Sequence, residues 1–368
     1  MTHTPYFDLI REREHEAVLF LSDPETGLRG FIGIHNTVLG PALGGCRMKA
    51  YASEEAALRD VLQLSEAMTY KASMAGLHYG GGKTVLMIDH PENKTPEMVA
   101  ALAKRIHLMG GSYYGAGDIG STTDDLRIIK QHTPYVGGLA QQDGGLGDSA
   151  TLTALGVYMG IRAAVAERLG RDDLDGLSVA VQGIGKVGFY LTEYLLKAGC
   201  RVVASDTNQQ AIAYMQARYP QVEIASSETI LTQPVDIVSP NAVGGVITEA
   251  VVRQMTAKIV AGGANNPLAS PSLDAALMER NILFAPDFVV NSGGIILITY
   301  EIENRSLEEA TRKTEGVYET TRQVFEAARV ANAPTWHTAV RLAKQRIAEK
   351  KSEILVGTGK QRELAAAL

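Results

Sequence analysis

The stretch LSVAVQGIGKVGFYLTEYLLKAGCRVVASDTN, residues 177–208, decides the fold. An apolar run leads into a glycine-rich turn, an apolar segment of helical period follows, and a second apolar run ends in an acidic residue. This pattern predicts a strand over 177–182, a helix over 186–198 and a strand over 201–205. The alternation of strands and helices indicates a parallel sheet covered by helices. Short apolar runs predict further strands of this sheet at 237–238, 259–261 and 282–285.

The turn of this unit carries glycines in the order GxGxxG. Gly183, Gly185 and Gly188 have that spacing, which allows a tight turn, a close approach of the backbone to a pyrophosphate and close packing of the helix on the strand. The N-terminus of the following helix supplies unpaired N–H groups for phosphate. We therefore predict a dinucleotide site that includes these glycines, Lys186 and Val187. An ordinary turn with incidental glycines is the alternative.

Asp206, at the end of the second predicted strand, indicates which dinucleotide is bound. A carboxylate at this place accepts hydrogen bonds from the adenosine ribose hydroxyls and repels a 2′-phosphate. The residues that follow, TNQQ at 207–210, include no Arg or Lys that would bind such a phosphate. The sequence predicts NAD as the cofactor, rather than NADP.

Composition argues against several other classes of protein. The 368 residues exceed one ordinary core, so two domains are expected. A formal net charge of −6 argues against nucleic acid as the main partner, and no uninterrupted apolar run reaches the length of a membrane span. Cys46 and Cys200 are too few for a disulfide framework or a Cys-rich zinc site, so no metal is expected. This cysteine usage predicts a cytoplasmic protein.

Two lysines in the first half of the chain are candidates for chemistry. Lys71 lies in an apolar-periodic stretch, MTYKASMAG, where a lysine is costly unless it meets an anion. Lys83 follows the glycines at 80–82, which would let the backbone and the ammonium group share one site. The alternative is a helix lysine whose stem covers apolar surface and a loop lysine without a special role.

A series of motifs extends the pattern along the chain: PALGGCRM (41–48), MTYK (68–71), GGGK (80–83), GDIGST (117–122), VQGIGKVG (181–188), AGGANN (261–266) and APDFVVNSGG (285–294). In order and spacing they resemble the glutamate/leucine/phenylalanine/valine dehydrogenase family. The resemblance covers roughly Val18 to Arg346. Within the family, the sequence is most similar to the leucine dehydrogenases and their branched-chain relatives.

The resemblance implies reversible oxidative deamination of an L-amino acid to a 2-oxo acid, ammonia and NADH. It implies that Lys71 pairs with the substrate α-carboxylate, helped by the backbone of Gly44 and Gly45. Lys83 would activate the water that attacks the iminium carbon, a role that requires a neutral amine. Asp118 would transfer protons between the amino group and this water.

The resemblance also assigns residues around the substrate side chain and the nicotinamide. Asn265 would contact the cofactor and Asn266 the substrate. Leu43 stands where glutamate dehydrogenases carry a lysine that pairs with the substrate's side-chain carboxylate, so glutamate would have no partner there. The other residues implied for the pocket are Met68, Ala116, Ile295 and Ile298.

An apolar pocket predicts leucine, valine and isoleucine as substrates, with no order among them. An aromatic amino acid is the alternative within the family, and glutamate is a less favoured one. A catalytically silent NAD-binding regulator is the alternative from a different class, but it would need a broken Lys71, Lys83 or Asp118, and all three are present. Two positions depart from the leucine-like members of the family: Cys46, usually Thr, and Gly117, usually Glu.

The predicted fold is α/β, with two domains and a cleft between them. Residues 1–147 would form an α/β domain for substrate binding and oligomerisation, and 148–330 a Rossmann-type NAD-binding domain. The C-terminal helices of 331–368 would pack back toward the first domain. The glycine-rich segment 135–149 would link the domains. The resemblance implies a homo-oligomer, with dimer and octamer left open.

Overall fold

The computed structural model describes residues 6–366, which divide into two units. The first unit comprises the chain up to 147 together with 298–306 and the chain from 343, and the second comprises 148–297 and 307–342. The division is less contiguous than the sequence suggests, because two helices, Gly293–Ile302 and Thr335–Ala366, run without a break from one unit into the other. A continuous helix gives no change in composition that would mark such a boundary. The terminal residues 1–5 and 367–368 of the predicted domains lie outside the described residues.

A five-stranded mixed sheet forms the centre of the first unit. Its strands are β1 (Ala17–Asp23), β2 (Leu28–Asn36), β3 (Ala42–Lys49), β4 (Gly80–Met87) and β5 (Tyr113–Gly117). The spatial order is β1-β2-β4-β3-β5, in which β1, β2 and β4 pair antiparallel whereas β4, β3 and β5 pair parallel. Every residue of β4 is buried, so this strand lies at the core of the unit.

Four α-helices of the described chain lie wholly within the first unit, and the last three begin at a residue that caps them. They are α1 (Tyr6–Glu12), α2 (Glu54–Met74), α3 (Pro96–Leu108) and α4 (Thr123–His132). Ser53 and Thr95 each accept a hydrogen bond from the first turn of their helix, and Thr122 forms a reciprocal capping box with Asp125. These caps satisfy N–H groups that the first turn of a helix leaves unpaired, and they fix where α2, α3 and α4 begin.

The glycine run of the first unit lies inside a strand. The glycines at 80–82 begin β4, so Lys83 is a strand residue and not the loop residue that the sequence left open as the alternative. Strands β3 and β5, which carry further glycines, were not predicted at all. Glycine disfavours a strand locally, and here pairing with neighbouring strands on both sides overrides that preference.

The second unit is built on a six-stranded sheet. Its strands are β6 (Ser178–Gln182), β7 (Arg201–Ser205), β8 (Glu223–Ile224), β9 (Ile237–Pro240), β10 (Ile259–Val260) and β11 (Leu283–Phe284). They pair in parallel throughout, in the order β11-β10-β9-β6-β7-β8. The α/β class and the Rossmann-type sheet predicted from the sequence are confirmed.

Ten α-helices follow α4 in the described chain: α5 (Ser149–Leu169), α6 (Lys186–Lys197), α7 (Gln209–Arg218), α8 (Glu249–Gln254), α9 (Leu273–Glu279), α10 (Asp287–Val290), α11 (Gly293–Ile302), α12 (Leu307–Glu315), α13 (Val317–Ala331) and α14 (Thr335–Ala366). Of the described helices, α5 alone is long and apolar enough to cross a membrane by length and composition, but 61% of its apolar window is buried inside the protein. Such burial is typical of a core helix.

Candidate active site

Lys83 and Asp118 meet across a strand in the first unit. Lys83 lies within β4 and is 6% exposed, whereas Asp118 directly follows β5, and β3 runs between these two strands. The Lys83 Nζ atom nevertheless donates to Asp118 Oδ2 at 2.7 Å. This contact excludes the alternative that Lys83 is a solvated loop lysine.

Gly45 is the residue of β3 that lets the pair form. A Cβ placed on Gly45 would lie 2.8 Å from the Cβ of Asp118, closer than side-chain carbons approach in folded proteins. Because Gly45 has no side chain, the side chain of Asp118 can extend across β3 to contact Lys83. The local reason for the second glycine of PALGGCRM is therefore access between two charged side chains.

Two cations share one oxygen of Asp118. Arg47, further along β3, donates from Nε to the same Oδ2 atom at 3.1 Å. Burial by itself would raise the pKa of Asp118, but the Lys83 ammonium and then the Arg47 guanidinium outweigh it and hold this pKa below its usual value. The carboxylate is therefore ionised at neutral pH, where it can accept a proton.

Cys46 lies beside this pair as a neutral group. It is buried on β3, in register with Gly117. Burial raises the pKa of its thiol, and the negative charge of Asp118 adds to that shift. The thiol therefore stays protonated. Among the described residues, no group of three or more His, Cys, Asp or Glu side chains could hold a metal ion.

Lys71 lies on the helix that packs against the strand of Lys83. It is half-buried in the last turn of α2. A Cβ on Gly81 would overlap the backbone nitrogen and hydroxyl of Thr69, so α2 lies directly on β4 at this level. Lys71 follows Thr69 by two residues and Lys83 follows Gly81 by two, which brings the two lysine-bearing segments together.

The predicted pocket residues divide between the units. In the first unit, Leu43 and Ala116 are buried on adjacent strands and Met68 is half-buried on α2. Ile298 is half-buried and lies against Gly137, where a Cβ would be 2.9 Å from its Cγ2. Ile295 is buried on the part of α11 that belongs to the second unit.

The glycine turn of the second unit lies between β6 and α6, as the fingerprint predicts. Gly183 has a φ of +83°, which favours glycine, and Gly188 packs against the carbonyl of Gly183. Gly185 caps α6 without a side-chain hydrogen bond to the helix, and a Cβ there would meet nothing within 4 Å. This open space next to helix N–H groups fits a pyrophosphate.

The other residues of the fingerprint lie in the same turn and at the next strand. Lys186 Nζ lies 3.0 Å from Asp148 Oδ2, and Val187 is half-buried in the first turn of α6. Asp206 follows β7, and its Oδ2 accepts the N–H of Ile184 at 2.8 Å. The carboxylate is thereby fixed beside the glycine turn.

Asn265 and Asn266 lie exposed in the segment after β10. Asn265 Oδ1 accepts a hydrogen bond from Asn291 Nδ2 at 2.9 Å, and the N–H of Asn266 donates to Asp287 Oδ2 at 2.8 Å. The side chain of Asn265 is thus oriented by a residue of the motif APDFVVNSGG, and the backbone of Asn266 is held by another.

Several buried polar atoms near the carboxyl ends of the second sheet have no hydrogen-bond partner within the described chain. They include Gln182 Oε1, Ser205 Oγ and Asn291 Oδ1. Gln182 and Ser205 are in register at the ends of β6 and β7. Buried polar groups without partners are costly, so their place beside the glycine turn fits a site that a polar ligand completes.

Sequence reasoning missed Arg47 and Asn291. Arg47 stands two residues after Gly45, and alternate residues of a strand share a face, so a strand prediction for PALGGCRM would have placed it beside Asp118. Asn291 was within a quoted motif, but its contact with Asn265 depends on chain folding that no local pattern shows.

Comparison with known proteins extends what the geometry indicates. Family models described as "Glu/Leu/Phe/Val dehydrogenase, dimerisation domain" and "Glutamate/Leucine/Phenylalanine/Valine dehydrogenase" match residues 15–135 and residues 144–216 and 206–353. The leucine dehydrogenase of Geobacillus stearothermophilus is 40% identical over 93% of this chain and 93% of its own length. The phenylalanine dehydrogenase of Bacillus thermotolerans is 39% identical over 91% and 88%.

Among solved structures, the crystal structure of L-tryptophan dehydrogenase from Nostoc punctiforme matches with a TM-score of 0.82 and 35% identity, over 94% of this chain and 99% of that one. Fold, site and comparisons together define an amino acid dehydrogenase, an oxidoreductase that acts on a CH–NH2 group. The chain belongs to the Glu/Leu/Phe/Val dehydrogenase family. Relatives that act on different apolar amino acids match at similar identity.

Proposed function

We propose that the protein catalyses NAD-dependent, reversible oxidative deamination of leucine, valine and isoleucine to the 2-oxo acid, ammonia and NADH. Leu43 is the observation that carries this choice of substrate. It is 1% exposed on β3, at the position where the family resemblance puts the substrate-binding lysine of glutamate dehydrogenases. A glutamate substrate would have to bury its distal carboxylate there without a cation, at a cost of several kcal/mol.

The side chains that the resemblance assigns to the pocket are apolar without exception: Leu43, Met68, Ala116, Ile295 and Ile298. An apolar pocket separates neighbouring substrates weakly, because one methylene contributes only about 1–3 kcal/mol. Overlapping activity on the three branched-chain amino acids follows. Two isoleucines narrow the pocket, which disfavours phenylalanine and tryptophan.

Lys83 and Asp118 are the proposed acid–base pair. Lys83, as the neutral amine, accepts a proton from the water that attacks the iminium carbon. Asp118 transfers protons between the substrate nitrogen and that water. Their 2.7 Å contact and their burial support these roles, because a proton can pass between groups held at hydrogen-bond distance.

Lys71 is the proposed partner of the substrate α-carboxylate, together with the backbone of Gly44 and Gly45. The place of this half-buried lysine, on a helix that lies against β4, supports this role. A substrate carboxylate beside its ammonium would form a charge-assisted hydrogen bond.

NAD is the proposed cofactor, held by the glycine turn of 183–188 with Lys186 and Val187, by Asp206 and by Asn265. When bound, it accepts a hydride from the substrate Cα. The open face of Gly185 admits the pyrophosphate, and the carboxylate of Asp206 accepts from the ribose hydroxyls and disfavours a 2′-phosphate. Asn266 is proposed to contact the substrate.

The protein is proposed to work as a homo-oligomer in the cytoplasm, with no nucleic acid or membrane partner. The match of residues 15–135 to a domain described as a dimerisation domain supports the oligomer. The two cysteines, both buried and unpaired, are compatible with a reducing compartment.

Replacing Leu43 tests the substrate assignment. Leu43→Lys places an amine where a glutamate carboxylate would need one, so the ratio of kcat/KM for glutamate over leucine should rise at least about tenfold. Steady-state NADH formation with both amino acids, for the variant and the unmodified protein, gives this ratio.

Leu43→Met is the matched control, because it keeps an apolar side chain of similar volume. It should retain the preference of the unmodified protein for leucine over glutamate. An unchanged ratio in a folded Leu43→Lys protein would remove Leu43 from the pocket.

A further inference from the structure

Arg47 reaches two carboxylates at once. Its Nε donates to Asp118 Oδ2 at 3.1 Å, and its NH1 donates to Asp60 Oδ2 at 3.2 Å. The side chain is 14% exposed, so water screens these interactions weakly. Arg47 therefore ties the proposed acid–base pair to α2, the helix that carries Asp60.

The charges beside the site alternate in sign. Lys83, Asp118, Arg47 and Asp60 follow one another at hydrogen-bond distance, so each inner group lies between two opposite charges. Tyr51 lies at the outer end of this row of charges, where its hydroxyl donates to Asp60 Oδ2 at 2.6 Å. Asp60 is thus itself fixed, which in turn fixes the guanidinium.

A guanidinium suits this position better than an ammonium would. It is planar, offers separate N–H groups to two acceptors and stays charged throughout the working pH range. Lys83, in contrast, must lose its positive charge whenever it acts as a base. A permanent cation still favours the ionised form of Asp118 at that moment.

We propose that Arg47 is a positioning residue of the reaction, which holds the Asp118 carboxylate ionised and fixed by one oxygen beside Lys83 while Lys83 gains and loses its proton. This inference rests on the roles proposed above for Lys83 and Asp118. Arg47 acts through Asp118 and is assigned no contact with substrate.

Other groups that face Asp118 do not supply this charge. Within the described chain, the cations that contact it are Lys83 from β4 and Arg47 from β3. Cys46 on β3 and Tyr113 on β5 are neutral, because burial raises the pKa of both. The remaining charges of the cluster lie beyond Arg47: Asp60 on α2 and Lys49, whose Nζ is 3.8 Å from Asp60 Oδ2.

The sign of the pH effect follows from these contacts. Lys83 and Arg47 lower the pKa of Asp118 against the opposing effect of burial. Without the guanidinium the burial effect remains and one opposing interaction is lost, so the pKa of Asp118 rises. The carboxyl group then takes up its proton at a higher pH. Because the loss of a positive charge favours the proton-bound form of both members of the pair, the acidic limb of the kcat profile moves to higher pH whichever member defines it.

The experiment compares Arg47→Gln, Arg47→Lys and Asp60→Asn by kcat and KM for leucine and NAD across the pH range. Arg47→Gln should lower kcat at least about tenfold and move its acidic limb upward by about one pH unit, with KM for NAD changed by less than about twofold. Arg47→Lys keeps the positive charge but loses the planar guanidinium that binds two acceptors. Its kcat should therefore fall, while the acidic limb of its kcat profile should stay at nearly the same pH. Asp60→Asn should lower kcat several-fold with no shift of the limb, because it loosens the guanidinium without removing it.

Arg59→Gln is the matched control. Arg59 is the neighbour of Asp60 on α2 and pairs with Glu55 at the surface, so its loss should leave kcat and the pH profile unchanged. Arg47→Gln that melts like the unmodified protein and keeps its kcat and acidic limb would overturn the proposal. If Arg47→Gln does not fold, unchanged kcat in Asp60→Asn would overturn it.

A failure of the proposed function would be recognised separately, because the unmodified protein would then form no NADH from apolar amino acids. In that case the effect of Arg47 on Asp118 can still be tested. NMR would give the pKa of the Asp118 carboxyl group in the unmodified protein and in Arg47→Gln. An equal pKa in both would contradict the role of Arg47, and a higher pKa in the variant would support it.

Discussion

The two units bring their functional residues together in different ways. In the first unit, Lys83 lies inside a strand, and Asp118 reaches it over an intervening strand at Gly45. In the second unit, the glycine turn and Asp206 lie at the carboxyl ends of neighbouring parallel strands. The proposed chemistry is thus built across the face of one sheet, and the proposed cofactor site is built at the end of the other.

Glycine has a different task in each place. A Cβ on Gly44 would overlap the carbonyl oxygen of Gly82 on the adjacent strand, whereas a Cβ on Gly185 would meet nothing within 4 Å. The first glycine allows two strands to pair, and the second leaves room for a ligand. The same residue type is thus needed for strand pairing at Gly44, whereas at Gly185 it leaves open the space in which we propose that the pyrophosphate binds.

The largest expected effect is that of Lys83→Ala, which removes the proposed base from the first unit. It should lower kcat about 10²-fold or more, because a positioned acid–base group contributes that much, while the affinity for NADH stays nearly unchanged. Turnover assays over the pH range and NADH fluorescence titration measure the two quantities. Lys104→Ala, on the exposed face of α3, is the control. Near-normal turnover of Lys83→Ala at every pH would remove Lys83 from the mechanism.

Two glycine replacements test the difference between Gly44, which allows two strands to pair, and Gly185, which borders open space. Gly44→Ala should lower the free energy of unfolding by about 1–3 kcal/mol or more, because two buried strands must separate to admit the methyl group. Gly185→Ala should leave the melting temperature nearly unchanged but weaken the binding of NADH, because its methyl group would enter the open space. Thermal melts and NADH titrations of both variants check this. Equal losses of stability in the two variants would break the distinction between the units.

The smallest expected effect is that of Asp206→Ala. Its carboxylate is proposed to bind the ribose and to repel a 2′-phosphate, so its removal should weaken NAD binding about tenfold or less and reduce the preference for NAD over NADP. Kinetics with both dinucleotides give the ratio. A preference unchanged from that of the unmodified protein would leave Asp206 with a structural role only, as the acceptor of the backbone N–H groups of Ile184 and Asn208.

The second unit could be predicted from the sequence because its signals are local. Strand, glycine turn, helix and acidic strand end follow one another within 177–206, and each lies where it was expected. The first unit was harder to predict, because its site joins side chains from three strands. The sequence left open a loop position for Lys83, because the glycines before it disfavour a strand locally, and it assigned no role to Arg47 because β3 was not recognised as a strand. The pairing of Lys83 with Asp118 is a long-range contact, and only the resemblance to a family indicated it.

The most direct test of the account is NADH formation by the unmodified protein, with leucine and with glutamate as substrates. We expect kcat/KM for leucine with NAD to exceed that for glutamate by far more than tenfold, because the distal carboxylate of glutamate would have no partner beside Leu43. Glutamate turnover within tenfold of leucine, or no turnover of any apolar amino acid, would contradict it.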